Sequence, residues 1–342
     1  NSNLISFKGN KTSTIYDLTV DRTVEKGSKL SPAGAGDPSD EADLAGLFTA
    51  LPDNMVIESV YMSGTSVKGN SSANSYAGAF AGKTTGSATL TDCRVYLDSK
   101  DIEGKNEENA WISGAAVQGG LIGCVEKKND TTVNINNCFA ATVMDSAQNG
   151  IVGGLVGSNG NGRENINITS CYADSYLTGG VVGGLIGEGK NITIKSCYTA
   201  GYLKAETKAG GFIASSEKEG TTISHGYAAV TYLKSAADKV PVIYSIGQGN
   251  VGEKVFYLNK GNDDTKDLYQ GEKVEYPELS NKTRMAEKLG EGFTASTTTY
   301  AYNLRNQGLT SYSYPSLSGM NHYGDWEANY EAGSLVYYER YE

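Results

Sequence analysis

Gly153-Gly154-Leu155-Val156-Gly157, followed by Asn165-Ile166-Asn167-Ile168-Thr169-Ser170-Cys171-Tyr172, is one copy of a phrase that recurs through the middle of the chain. Its glycine-flanked opening returns as Gly119-Gly120-Leu121-Ile122-Gly123, Gly183-Gly184-Leu185-Ile186-Gly187 and Gly210-Gly211-Phe212-Ile213. Its closing Ile-x-x-Cys-aromatic returns as Ile135 to Cys138-Phe139 and Ile194 to Cys197-Tyr198, then as Ile223 to Gly226-Tyr227. Successive anchors lie 33, 26 and 29 residues apart. A period of this size marks a solenoid, in which each unit buries its apolar face only against its neighbours.

Weaker copies flank the clear ones. Ala45-Gly46-Leu47-Phe48 precedes Ile57-Glu58-Ser59-Val60-Tyr61, and residues 77–82 precede Leu90-Thr91-Asp92-Cys93-Arg94. A degenerate unit runs from Pro241 to Gly247 and on to Val255-Phe256-Tyr257-Leu258. Three short strands per turn with helix-free connections predict an all-β, right-handed parallel β-helix. Residues 1–44 are expected to cap its first coil, residues 45–260 to form the repeats, and residues 261–342 to be a C-terminal cap or small tyrosine-rich module. Within that last segment, Ser280 to Gly290 reads as a short helix with a polar N-terminal cap and a glycine stop.

Strand parity gives the first side-chain assignments. In Asn165-Ile166-Asn167-Ile168, polar and apolar residues alternate, so one face is buried. Cys171 lies three residues beyond Ile168 and is out of phase on a flat strand. Either the chain bends between them, or the aromatic residue after the cysteine is the buried one. Small residues at Ala140, Ala173, Thr199 and Ala228, with Met144, Leu177 and Leu203 four further on, favour the bend. Cys138, Cys171 and Cys197 then belong to the core, as small buried hydrophobes. Phe139, Tyr172, Tyr198 and Tyr227 become an outward ladder, one ring per coil at about 4.8 Å. Such a row is the candidate binding face, for sugar rings or a protein. The alternative is that the rings cover the sheet's outer surface or lie under the C-terminal segment.

Composition narrows the partners. The chain has 342 residues, 43 glycines, 23 tyrosines and a net charge of −10, with no basic cluster. A nucleic-acid partner is not expected, because phosphate neutralisation needs grouped Lys and Arg. No apolar run is long enough for a membrane span. The five cysteines form no Cys-x-x-Cys pair and the only histidines are His225 and His322, so neither a metal site nor a cofactor is expected.

The Gly-Gly-Leu-Ile/Val-Gly phrases with their Ile-x-x-Cys-Tyr partners resemble the GLUG repeat of bacterial cell-surface proteins, well over residues 115–235 and loosely over 45–115. That repeat also occurs in the non-catalytic part of some IgA-cleaving metallopeptidases. Tyr312-Ser313-Tyr314-Pro315 and His322-Tyr323-Gly324-Asp325-Trp326 look like a phrase that follows such repeats in Gram-positive surface proteins. The peptidase's zinc motif, His-Glu-x-x-His, is absent, so its activity does not carry over. The resemblance implies a secreted or surface-attached bacterial protein, part of a longer chain, acting as a non-enzymatic scaffold or adhesin-like stalk towards a host protein or glycan.

The competing expectation is a carbohydrate-active β-helix enzyme or glycan-binding module. A glycosidase needs two carboxylates flanking the scissile bond. Three residues after the cysteine anchor stand Ala141, Asp174, Ala200 and Ala229, which is one acid in four coils. Glu164, Glu188 and Glu217 fall at different offsets, and no nucleophile elbow is present. A groove with two carboxylates from adjacent coils would favour the enzyme, and a flank of stacked Tyr and Asn rows the scaffold.

Overall fold

A computed structural model describes residues 5–9, 14–22, 43–96, 111–125, 131–146, 150–160, 164–217, 220–233, 241–258, 266–268, 270–295, 299–303, 308–312 and 315–318. The chain folds as a parallel β-helix. One sheet of six parallel strands takes a strand from each successive coil in chain order: Phe48–Leu51, Ala81–Thr84, Ile122–Val125, Val156–Ser158, Ile186–Gly189 and Ile213–Ser216. The remaining coil segments form a larger parallel sheet of 25 strands. The sequence repeat is the structural register: Leu90 pairs with Ile135, Ile135 with Ile168, Ile168 with Ile194, and Ile194 with Ile223.

Each glycine of the opening phrase has its own steric reason. A Cβ on Gly153 would meet the carbonyl oxygen of Val156 at 1.9 Å, across the corner of its own coil. On Gly154 it would meet the carbonyl oxygen of Gly184 at 1.9 Å, in the next coil. The first glycine therefore closes the corner and the second permits stacking. Between them and the sheet, Leu121, Leu155, Leu185 and Phe212 plug the corner from inside and are fully buried.

The chain does bend before the cysteine. Ser59, Asp92, Asn137, Ser170, Ser196 and His225 hold the same place in successive coils, and all have φ between 51° and 54°. This left-handed conformation costs an L-residue about 1–2 kcal/mol and is reached most readily by Asn and Asp. The kink shifts strand parity by one step. Ile135, Cys138, Ala140 and Met144 consequently share the internal core, as do Ile168, Cys171, Ala173 and Leu177. The kinks also divide the coil more finely than three strands. Thr132–Asn136, Phe139–Ala140, Val143–Asp145, Ile151–Gly153 and Val156–Ser158 make up one turn.

At the N-terminal end, the stretch expected as a cap pairs with the first repeat strand for strand. Ile5–Lys8 lies against Met55–Glu58, Thr14–Tyr16 against Tyr61–Ser63, and Thr19–Asp21 against Ser66–Lys68. The parallel stack also runs past residue 260, through Lys266–Leu268 and Glu272–Val274. Two helices follow, α1 (Tyr276–Leu279) and α2 (Lys282–Leu289). Asn281 caps α2 by accepting from the Arg284 amide, and Gly290 ends it at φ 78°. The sequence reading of this helix holds. Two antiparallel strand pairs are present among the described residues of this segment, Phe293–Thr294 with Ser316–Leu317 and Thr299–Asn303 with Gly308–Tyr312. The phrase at residues 322–326 lies outside the described residues, as do residues 97–110.

Candidate functional site

The cysteine anchors form a continuous internal column. The amide of Cys93 donates to Cys138 Sγ at 3.3 Å, that of Cys138 to Cys171 Sγ at 3.3 Å, and that of Cys171 to Cys197 Sγ at 3.4 Å. The kink diverts these amides from ordinary carbonyl partners, and the polarizable sulfur of the neighbouring coil receives them. The thiols donate in turn to nearby carbonyls, Cys138 Sγ to Asn136 O at 3.1 Å and Cys171 Sγ to Thr169 O at 3.1 Å. All five cysteines are free and buried. Burial pushes the thiols of Cys93, Cys138 and Cys171 well above their ordinary range, so they stay protonated and inert. Cys124 stands apart, in the six-stranded sheet between Lys83 and Ser158.

The ladder exists and is longer than the four predicted rings. Register places Tyr61, Arg94, Phe139, Tyr172, Tyr198, Tyr227 and Phe256 in one column. Ring centroids from Phe139 to Tyr227 are 4.7, 4.6 and 4.9 Å apart, with planes within 12° of parallel. Arg94 replaces one ring, with its guanidinium 4.3 Å from the Tyr61 centroid and 5.8 Å from that of Phe139. Asp92 anchors this cluster. It accepts from Arg94 at 2.7 Å, from the Tyr61 hydroxyl at 2.7 Å and from Ser59 Oγ at 3.1 Å. Burial, reinforced by the bond to Asp92, raises the Tyr61 phenol well above its ordinary range. The sequence displayed the clue in Cys93-Arg94, where an arginine occupies the aromatic place.

Of the two readings of the ladder, the exposed binding face is corrected and the alternative holds: the rings lie under the C-terminal segment. Phe139, Tyr172, Tyr198 and Tyr227 point away from the internal core, yet none is more than 1% exposed. They belong to a second apolar cluster with Leu279, Met285, Leu289, Phe293 and Leu317 of the C-terminal segment. Phe293 tilts against Tyr227 at 5.9 Å, and the Tyr227 hydroxyl donates to Pro315 O at 2.6 Å. Ser196 Oγ donates to Glu291 O at 3.1 Å from the same flank. The physical reason is twofold. Seven large side chains in one row need an apolar cover, and stacked rings already use their faces on one another. A sugar would meet ring edges only.

The acids remain dispersed. Asp174 pairs in register with Ala200, and Ala200 with Ala229, so its coil carries the only acid among these three. Asp174 and Glu164 are buried. Glu188 sits between Ser158 and Ser215 in the six-stranded sheet, and Glu217 forms an ion pair with Lys190. His225 lies at a kink with Nε2 4.0 Å from Glu253. Among the described residues, no three His, Cys, Asp or Glu side chains are grouped to hold a metal ion, and no helix is long and apolar enough to cross a membrane.

One stacked asparagine pair is present as well. Asn134 and Asn167 occupy one outward register position, and Asn167 Nδ2 donates to Asn134 Oδ1 at 3.0 Å. Comparison with known proteins returns no matching family model, no matching curated protein and no matching solved structure.

Proposed function

We propose that this chain is a non-enzymatic scaffold of the bacterial cell surface, a stiff stalk whose uniform coils carry connections of unequal length towards a host protein or glycan. The observation behind the reading is the contrast between constant register and variable connections. Tyr61–Ser63 and Ser66–Lys68 are joined by residues 64–65, whereas the equivalent strands one coil later, Arg94–Tyr96 and Ile112–Ser113, are joined by residues 97–111. Constant coils keep the core closed while a connection changes length at little thermodynamic cost. Dispersed acids, a stacked Tyr row and the stacked Asn134–Asn167 pair accord with a scaffold better than with hydrolysis.

The test is to replace residues 97–110 with a two-residue turn and compare both proteins on arrays of host proteins and glycans. Loss of a binding partner with unchanged β-type circular dichroism supports the reading. Release of reducing ends from any polysaccharide by the purified chain would make it an enzyme and overturn the proposal.

A further inference from the structure

One exposed surface of the solenoid remains without a role. It is the outer face of the strands whose isoleucines line the core. Alternation turns every second residue outward, and register aligns these residues into two straight rows. Over five coils the first row is Thr89, Asn134, Asn167, Thr193 and Thr222, and the second is Thr91, Asn136, Thr169, Lys195 and Ser224; towards the N-terminal end the same register continues them through Val56 and Glu58 and then Ser6 and Lys8. Nine of these ten side chains are uncharged, and the two charges at the N-terminal end of the second row, Lys8 and Glu58, form an ion pair with each other. All ten are half-buried or exposed. Within the rows the repeat is about 4.8 Å, and across them about 6.6 Å, the rise of two strand residues.

We propose that this face binds a neutral polysaccharide chain lying along the solenoid axis. The inference deepens the scaffold reading by naming a face and a partner class, and it rests on that reading. The chemistry of the rows decides among ligands. An acidic polymer needs grouped cations, whereas Lys195 stands alone in these five coils and pairs with Glu291, and Lys8 at the N-terminal end of the row pairs with Glu58. A protein partner is anchored by buried aromatic or arginine side chains, and the rows hold neither. What they offer is a periodic set of short hydroxyls and amides, which complements a polyhydroxylated, uncharged chain. One coil is about as thick as one pyranose ring is long in an extended glycan, so successive sugars meet equivalent groups. The Asn167–Asn134 bond holds both amides in register and leaves the Asn134 NH2 and the Asn167 carbonyl oxygen each able to bond a ligand. Each neutral hydrogen bond is worth only about 0.5–1.5 kcal/mol net. Affinity must therefore build with the number of coils engaged, and long chains bind more tightly than short oligosaccharides.

The experiment is affinity electrophoresis of the full chain in gels containing β-glucan, mannan, xylan or starch, with polygalacturonate and alginate as acidic controls. The expected result is retardation by at least one neutral polysaccharide, and weaker competition as the competing oligosaccharides shorten. Asn134→Ala combined with Asn167→Ala should weaken retardation at least ten-fold. Thr193→Glu places a charge on an exposed residue without disturbing the core, so it should do the same with an unchanged melting temperature. No retardation by any neutral polysaccharide, retardation by the acidic polymers alone, or unchanged retardation in both variants would overturn the proposal. Cleavage of the retained polysaccharide would instead sink the scaffold reading while leaving the binding face standing.

Discussion

The Tyr227 hydroxyl donates to the carbonyl oxygen of Pro315, 88 residues further along the chain, at 2.6 Å. This buried bond ties a ladder ring to the segment that covers the ladder. A solenoid's stability is ordinarily a sum over neighbouring coils. Here α2, Phe293 and Leu317 add contacts of long sequence separation on the outer flank. Tyr227→Phe keeps the stacking and removes the donor, leaving a buried carbonyl without this partner. The expected cost is about 1–3 kcal/mol, read as a lower urea midpoint with an unchanged slope.

Coil deletion tests how far the nearest-neighbour picture holds. Val152 stacks on Val182 and Gly153 on Gly183, so removing residues 153–182 rejoins the chain in register. The register-true deletion should give a folded, shorter β-helix by circular dichroism, with a lower melting temperature because one coil's core and the Tyr172 ring are lost while the cover keeps its contacts with Tyr227. Loss of cooperative unfolding would contradict a stack of separable coils.

The kink column predicts an unusual ranking of substitutions. Ser170 sits at φ 52° and is not buried. Ser170→Val forces a β-branched residue into the left-handed region and should cost about 1–2 kcal/mol, although no packing is lost. Ser170→Gly adopts this φ freely and should stay within about 1 kcal/mol of the parent. Denaturant melts of both variants check the order. If Val is tolerated as well as Gly, the bend is not what holds Cys171 in the core.

Much of this was legible in the sequence, for physical reasons. The Gly-Gly phrases, the Ile alternation and the out-of-phase cysteine are each forced by close packing, so they fix the coil, its register and the bend. Gly226-Tyr227, without the cysteine, still disclosed its place through the aromatic. Three things were hidden. The kink residues vary between Ser, Asp, Asn and His, because the left-handed region selects a conformation and not one side chain. Arg94 broke the aromatic pattern while keeping its stacking role. Cover by the C-terminal segment was one of the two readings of the ladder, but the covering residues, Met285, Leu289, Phe293 and Leu317, were hidden, because no local period bridges their distance along the chain.

The thiol column makes stability fall in alkali. Burial raises Cys93, Cys138 and Cys171 in the folded chain, while in the unfolded chain they titrate near the ordinary thiol value of about 8.5. Below that pH both states hold the protons and the stabilisation is fully present. Above it the unfolded chain releases protons that the folded chain retains, so ΔG of unfolding drops by about 1.4 kcal/mol per pH unit for each such thiol. The loss continues until the folded thiols themselves ionise. Tyr61, also raised, adds a further decline above about pH 10. Cys138→Ala removes one titrating group and should make the slope between pH 9 and 10 shallower by about one proton. Its cavity cost shifts all values down equally, so the slope separates titration from packing. Equal slopes in parent and variant would show that Cys138 ionises no differently in the folded chain.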